Sequence, residues 1–253
     1  MHQNKMLVDT HCHIHEADYP LEINGVIERA TAAGVGTYVC VGTSIESSAA
    51  AIHFAETHAG SYASIGVHPH DTKDGFDIEQ LAGSSSKIIA VGEIGLDYYY
   101  EHSSRQVQQD ALEAQLDVAE AHNLPVIFHV RDAFDDFWPI LDNYDGLTGI
   151  VHSFTDTIEH MQEAVRRGFY IGINGISTFT KDPAQQAMFD AIPLHRLVFE
   201  TDAPFLTPHP FRGKVNEPAY LRDIAIYHAA RRGISVEEIA AATTANARAV
   251  LRI

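Results

Sequence analysis

The chain has 253 residues, 45% of them hydrophobic, with two cysteines and a formal net charge of −17. That length and apolar share fit one large globular domain with a sizeable core and argue against a disordered chain. The acidic excess excludes an extended nucleic-acid track, which needs clustered Lys and Arg, but not an enzyme that takes one strand end into a metal-lined pocket.

Strand-like apolar runs are expected at Met6–His11, Thr37–Gly42, Tyr62–His68, Ile88–Glu93, Pro125–His129, Gly149–His152, Phe169–Ile173 and Leu197–Asp202. Amphipathic spacing between them predicts helices over Leu21–Ala33, Ser47–His58, Arg105–His122, Ala133–Asn143, Ile158–Arg167 and Pro183–Ala191, with a shorter one at Asp77–Ala82. Pro218–Arg232 and Val236–Leu251 close the chain as helices. Eight strands alternating with helices imply parallel βαβ units. Eight such units in this length most simply close into a (β/α)8 TIM barrel, a single α/β domain spanning residues 1–253. No G-x-G-x-x-G follows the first strand, so a dinucleotide fold has no support.

Two cysteines, Cys12 and Cys40, rule out a disulfide scaffold and fit a reducing compartment. The polar Met1–Lys5 stretch lacks a signal-peptide pattern, and no apolar run reaches the roughly 18 residues a membrane span needs. The expectation is a cytoplasmic protein with no membrane partner, acting as a monomer by default.

Sixteen histidines stand out, so their placement matters. The first strand ends Asp9-Thr10-His11-Cys12-His13, and residues two apart in extended chain point to one side. Glu93, His129, His152 and Asp202 each close an apolar run. In a barrel the C-terminal strand ends meet at the catalytic face. Histidines and carboxylates buried together need a cation to offset charge and use the lone pairs. Imidazole with carboxylate suits Zn, Mn, Fe or Ni better than Mg. Six donors exceed what one tetrahedral ion needs, so two ions are expected. His11, His13 and Asp202 would hold one, His129 and His152 the other, with Glu93 bridging. Asp202 would also take the proton of the attacking water. Cys12 points away from its neighbours and reads as core. His15 reads as a loop residue, and His53, His58, His102, His122, His160, His195 and His228 as solvated.

The chain resembles the TatD family of metal-dependent deoxyribonucleases, within the amidohydrolase-like barrels. The resemblance rests on DTHCHIH (9–15), GVHPH (66–70), GEIGLDYYY (92–100), LPVIFHVRDA (124–133), VHSFTDT (151–157), ETDAPFLTP (200–208) and RGKVNEP (212–218). It implies the same six ligands, and Mg-, Mn- or Zn-supported hydrolysis of DNA phosphodiesters, often from a strand end. His15 and Asp156 depart from common family residues at the pocket rim. Around the ligands, His68 is placed to face substrate, and Arg131, Arg212 and Lys214 to bind phosphate. Asp97 reads as orienting a ligand or the Tyr98–Tyr100 loop, and Tyr98 and Phe205 as candidates to stack on a base. The bare site fits a hydrolase of amides, esters or phosphotriesters equally well. A non-enzymatic metal-binding protein is the remaining alternative.

Overall fold

The structure, a computed structural model, describes residues 7–253; the Met1–Lys5 stretch and the expected first strand residue Met6 lie outside them. Its strands are β1 (Leu7–Cys12), β2 (Val35–Val41), β3 (Ser61–Ile65), β4 (Ile88–Asp97), β5 (Val126–Arg131), β6 (Gly149–Val151), β7 (Tyr170–Ile173) and β8 (Leu197–Phe199). Its helices are α1 (Ile23–Ala32), α2 (Ile45–Thr57), α3 (Arg105–Ala121), α4 (Phe134–Leu141), α5 (Ile158–Arg166), α6 (Ile176–Phe179), α7 (Pro183–Ala191), α8 (Leu221–Arg232) and α9 (Val236–Leu251). All eight strands are parallel, alternate with helices and hydrogen-bond in chain order in one sheet, the expected (β/α)8 barrel. Every residue of β1 and β4 is buried, as strands covered on both faces should be.

The helices begin where short polar side chains can cap them. Ser44 accepts from Ser47 N–H before α2, Thr157 from His160 N–H before α5, and Asp182 from Ala184 N–H before α7, where Pro183 takes the first turn. Gly233 ends α8 in the left-handed region at φ 66°.

Two compact units can be described separately. One is Cys40–His152 with Val250–Ile253. In it, β3 to β6 run side by side, with Ser64 beside Ala90, Gly95 beside His129 and Phe128 beside Val151. A Cβ on Gly95 would lie 1.8 Å from the His129 carbonyl oxygen, so only glycine lets β5 approach this closely. The buried amide of Gln108, on α3, brackets the end of β4: it accepts from Asp97 N–H at 2.8 Å and donates to Asp97 C=O at 3.0 Å.

The other unit is the described part of residues 1–39 with Ser153–Ala249. Here β7 pairs β8, and the chain after β8 clasps β1. Asp202 N–H donates to His11 C=O at 2.8 Å, and His13 N–H to Ala203 C=O at 2.7 Å.

Candidate metal centre

In the second unit, period-two geometry places His11 and His13 as the sequence implies. Their Nε2 atoms lie 3.1 Å apart, with Asp202 Oδ1 3.7 Å and 3.4 Å from them. Asp202 has a left-handed backbone at φ 58°, which aspartate tolerates better than most residues and which functional sites often hold. Asp9 fixes the geometry from behind. It accepts from Thr201 Oγ1 at 2.5 Å and Thr201 N–H at 2.9 Å, and burial pushes its pKa up to about 8. Nearby, Glu200 Oε1 accepts from Ser153 N–H at 2.6 Å, and Asn174 donates to Ser153 Oγ at 2.8 Å.

In the first unit, Glu93 is buried, and its Oε1 lies 2.9 Å from His129 Nδ1, 3.0 Å from His152 Nε2 and 3.5 Å from His68 Nε2. His129 turns its other nitrogen, Nε2, to Asp97 Oδ2 at 3.0 Å. Asp97 is buried and receives four hydrogen bonds. Oδ2 also accepts from His70 Nε2 at 2.9 Å, and Oδ1 accepts from Tyr99 N–H and Tyr100 N–H at 3.0 Å each. Burial alone would raise the Asp97 pKa, but the bonds from His129, Tyr100 N–H and His70 outweigh it and hold the carboxyl well below its usual range.

The tautomer of His129 follows from its partners. An ionised Asp97 requires the proton on Nε2, so in the neutral imidazole the Nδ1 lone pair faces the Glu93 carboxylate. Two acceptors 2.9 Å apart need a shared proton or a cation between them. Burial opposes a second proton on His129, but the bonds to Asp97 and Glu93 outweigh it and raise the pKa, so without a cation the pair shares a proton. A divalent cation fits this pair in the proton's place. Ligating atoms of His68, Glu93 and His129 all lie within 4.8 Å of one another. His68 Nδ1, however, accepts from His70 N–H at 3.2 Å. Burial, ahead of the neighbouring His129, pushes the His68 pKa down to about 4. A neutral His68 so held carries its proton on Nε2 and is a donor, which suits the substrate-facing role expected from the sequence better than a ligand's.

Other expected residues fall as follows. Arg131 lies exposed over the rings of Tyr99 and Tyr100, 4.0 Å and 4.9 Å from their centroids. Arg212 donates to Thr207 C=O at 2.9 Å and covers the Phe179 ring, and Lys214 lies 5.2 Å from the Phe211 ring. Phe205 is exposed, with its ring edge-on to that of His13 at 6.4 Å between centroids. Tyr98 is engaged, its hydroxyl 2.9 Å from Asp136 and its ring under Arg105. Cys12 is core, as expected, with Sγ donating to Val39 C=O. His15 lies in the turn after β1, as expected, buried and paired with Glu16 at 3.2 Å, whereas His228 is fully buried rather than solvated. His70 and the Glu200–Ser153 contact escaped sequence reading. The second histidine of His68-Pro69-His70 was the available signal for the first.

Comparison with known proteins places these residues in context. A family model described as TatD related DNase matches residues 8–252. An uncharacterized metal-dependent hydrolase, YabD, of Bacillus subtilis is 39% identical over 255 residues, covering 98% of this chain and all of that one. A protein named 3'-5' ssDNA/RNA exonuclease TatD, of Citrobacter rodentium, is 39% identical over 240 residues, covering 90% of this chain and 91% of its own. The crystal structure of YJJV, a TatD homologue from Escherichia coli K12, superposes with a TM-score of 0.92 at 28% identity, covering 99% of this chain and all of that chain.

Proposed function

Because the chain belongs to the TatD related DNase family of metal-dependent hydrolases, we propose that it is a deoxyribonuclease cutting phosphodiesters at strand ends or on single strands. The exonuclease name carried by the Citrobacter relative supports that substrate and extends it to RNA. The carrying observation is the Glu93 carboxylate among three imidazoles, with His129 pinned by Asp97.

His11, His13 and Asp202 would hold one divalent ion, and Glu93, His129 and His152 a second. Bound Mg, Mn or Zn would supply Lewis acidity, acidifying water and neutralising charge that builds on phosphate. Asp202 takes the proton of the attacking water as its oxygen bonds to phosphorus and the bond to the leaving sugar oxygen breaks, and that oxygen takes up a proton from solvent. Asp97 keeps the His129 ring in one tautomer throughout. Neutral His68 donates its Nε2–H to a non-bridging oxygen. Arg131, Arg212 and Lys214 take flanking phosphates. The acidic surface disfavours long tracks along duplex DNA, which fits action near ends. Among the described residues no helix is long and apolar enough to cross a membrane. Cys12 and Cys40, both buried and in no disulfide, fit a protein working in the reducing cytoplasm.

Metal-free protein reloaded with Mg, Mn or Zn is offered end-labelled single- and double-stranded DNA beside a carboxylic ester and a phosphotriester. Cleavage of the single strand from its end is expected. Faster turnover of the ester or phosphotriester would transfer the site to a small-molecule hydrolase. Bound metal with no turnover of any substrate would make the protein a metal-binding one.

A further inference from the structure

The loop after β4 leaves two large aromatic residues on the surface. Tyr99 and Tyr100 are 58% and 51% exposed. Their backbone N–H groups are committed to Asp97, yet their rings sit in water, where apolar area has no reward. The rings meet edge to face, with centroids 4.8 Å apart and planes at 86°. The Arg131 guanidinium lies against both rings. His102 stacks parallel to Tyr100 with centroids 5.7 Å apart, which stiffens that side.

Resting on the nucleic-acid reading above, we propose that Tyr99, Tyr100 and Arg131 form a base-stacking ledge for the end of a single-stranded substrate. Sequence-tolerant single-strand binders pair aromatic faces for bases with cations for the backbone. This ledge offers both within one residue's reach, on a chain whose net charge of −17 makes an arginine spread over two rings conspicuous. It is also anchored to the chemistry. Asp97 Oδ1 holds the Tyr99 and Tyr100 backbone, Asp97 Oδ2 holds His129, and His129 Nδ1 faces Glu93 at 2.9 Å. A base stacked there is fixed relative to the Glu93 carboxylate through one carboxylate and one imidazole. Bases inside a duplex, stacked on both sides, have no free face to give the ledge.

The test is fluorescence anisotropy of the full-length protein with a labelled phosphorothioate pentathymidylate, and with the same strand lacking one terminal base. A Tyr99→Ala/Tyr100→Ala double variant should bind the intact strand about tenfold more weakly, the lower part of the range for a lost stacking partner. Removing the terminal base at the bound end should weaken wild-type binding by a similar factor and cost the double variant nothing more. Tyr99→Phe/Tyr100→Phe should keep wild-type affinity. Wild-type protein that binds both strands equally, or a double variant that still loses affinity when the base is removed, overturns the ledge whether or not the protein cuts DNA. Base-dependent binding without cleavage of any phosphodiester sinks the nuclease reading and leaves the ledge standing.

Discussion

Replacing His228 with glutamine should flatten the loss of stability on acidification. The imidazole is fully buried on α8, with Nε2 2.8 Å from Ser177 Oγ and the Phe199 ring centroid 5.9 Å away. Its Nδ1 has no hydrogen-bond partner among the described residues. Burial first, then Arg232 and Arg231, push its pKa down to about 3 against the opposing pull of Asp190. The unfolded chain takes a proton near pH 6.5, and the folded one refuses it until far lower. The folded pKa is depressed, so the stability this neutral imidazole preserves is whole above pH 6.5 and falls as pH drops toward 3. At pH 5 the loss is about 2 kcal/mol, or about 4–8 °C in Tm for a chain of this size. Urea unfolding of wild type and His228→Gln at pH 7.5 and pH 5 reads it. Carboxylates and other histidines titrate in both proteins and cancel in the difference, so the stability gap should change by about 2 kcal/mol in favour of the variant at pH 5. Parallel curves would refute a neutral, buried His228.

Three further outcomes follow from the site and its supports. Asp97→Asn removes the anion that fixes His129, and Mn or Zn affinity by calorimetry should fall about 10–100-fold; unchanged affinity would take Asp97 out of that role. Glu93→Ala and His129→Ala should each abolish hydrolysis in defined metal with the circular dichroism spectrum kept, and a near wild-type rate in either would undo the ligand assignment. Gly95→Ala puts a methyl 1.8 Å from the His129 carbonyl oxygen, so it should cost about 1–3 kcal/mol or more and loosen His129; a variant with unchanged Tm would show that the strands separate freely.

Much of this was legible because strand and helix periods differ. α7 and α9 begin and end where their patterns do. The H-x-H pair reads directly, since alternate residues of extended chain share a side. Ends were harder. β4 runs on to Asp97 rather than stopping at Glu93, because Gly95 looks like a breaker in sequence but is the residue that admits β5. β8 stops at Phe199, and the residues after it turn to bring Asp202 back to His11. The helix expected at Asp77–Ala82 is a set of turns, with a 3-10 turn at Thr72–Asp74 instead. His228 looked solvated by residue type, since nothing local announces that Ser177, fifty-one positions away, will meet its ring. The bond from His129 to Asp97 likewise needs the β4–β5 register, which is a property of two strands rather than of either.

The clasp between β1 and the chain after β8 joins Asp9 to Thr201 across 192 positions. On the ribosome, His11 and His13 are made almost at once, then wait about 10–40 s at ordinary elongation rates before Thr201 and Asp202 are made. For that interval the nascent chain carries an imidazole pair without its carboxylate, a set that favours copper or nickel over the metals preferred by oxygen ligands. Glu93, His129 and His152 are all synthesised well before then. The His11–His13–Asp202 cluster is therefore completed late in the life of each new molecule, when the chain after the last strand arrives.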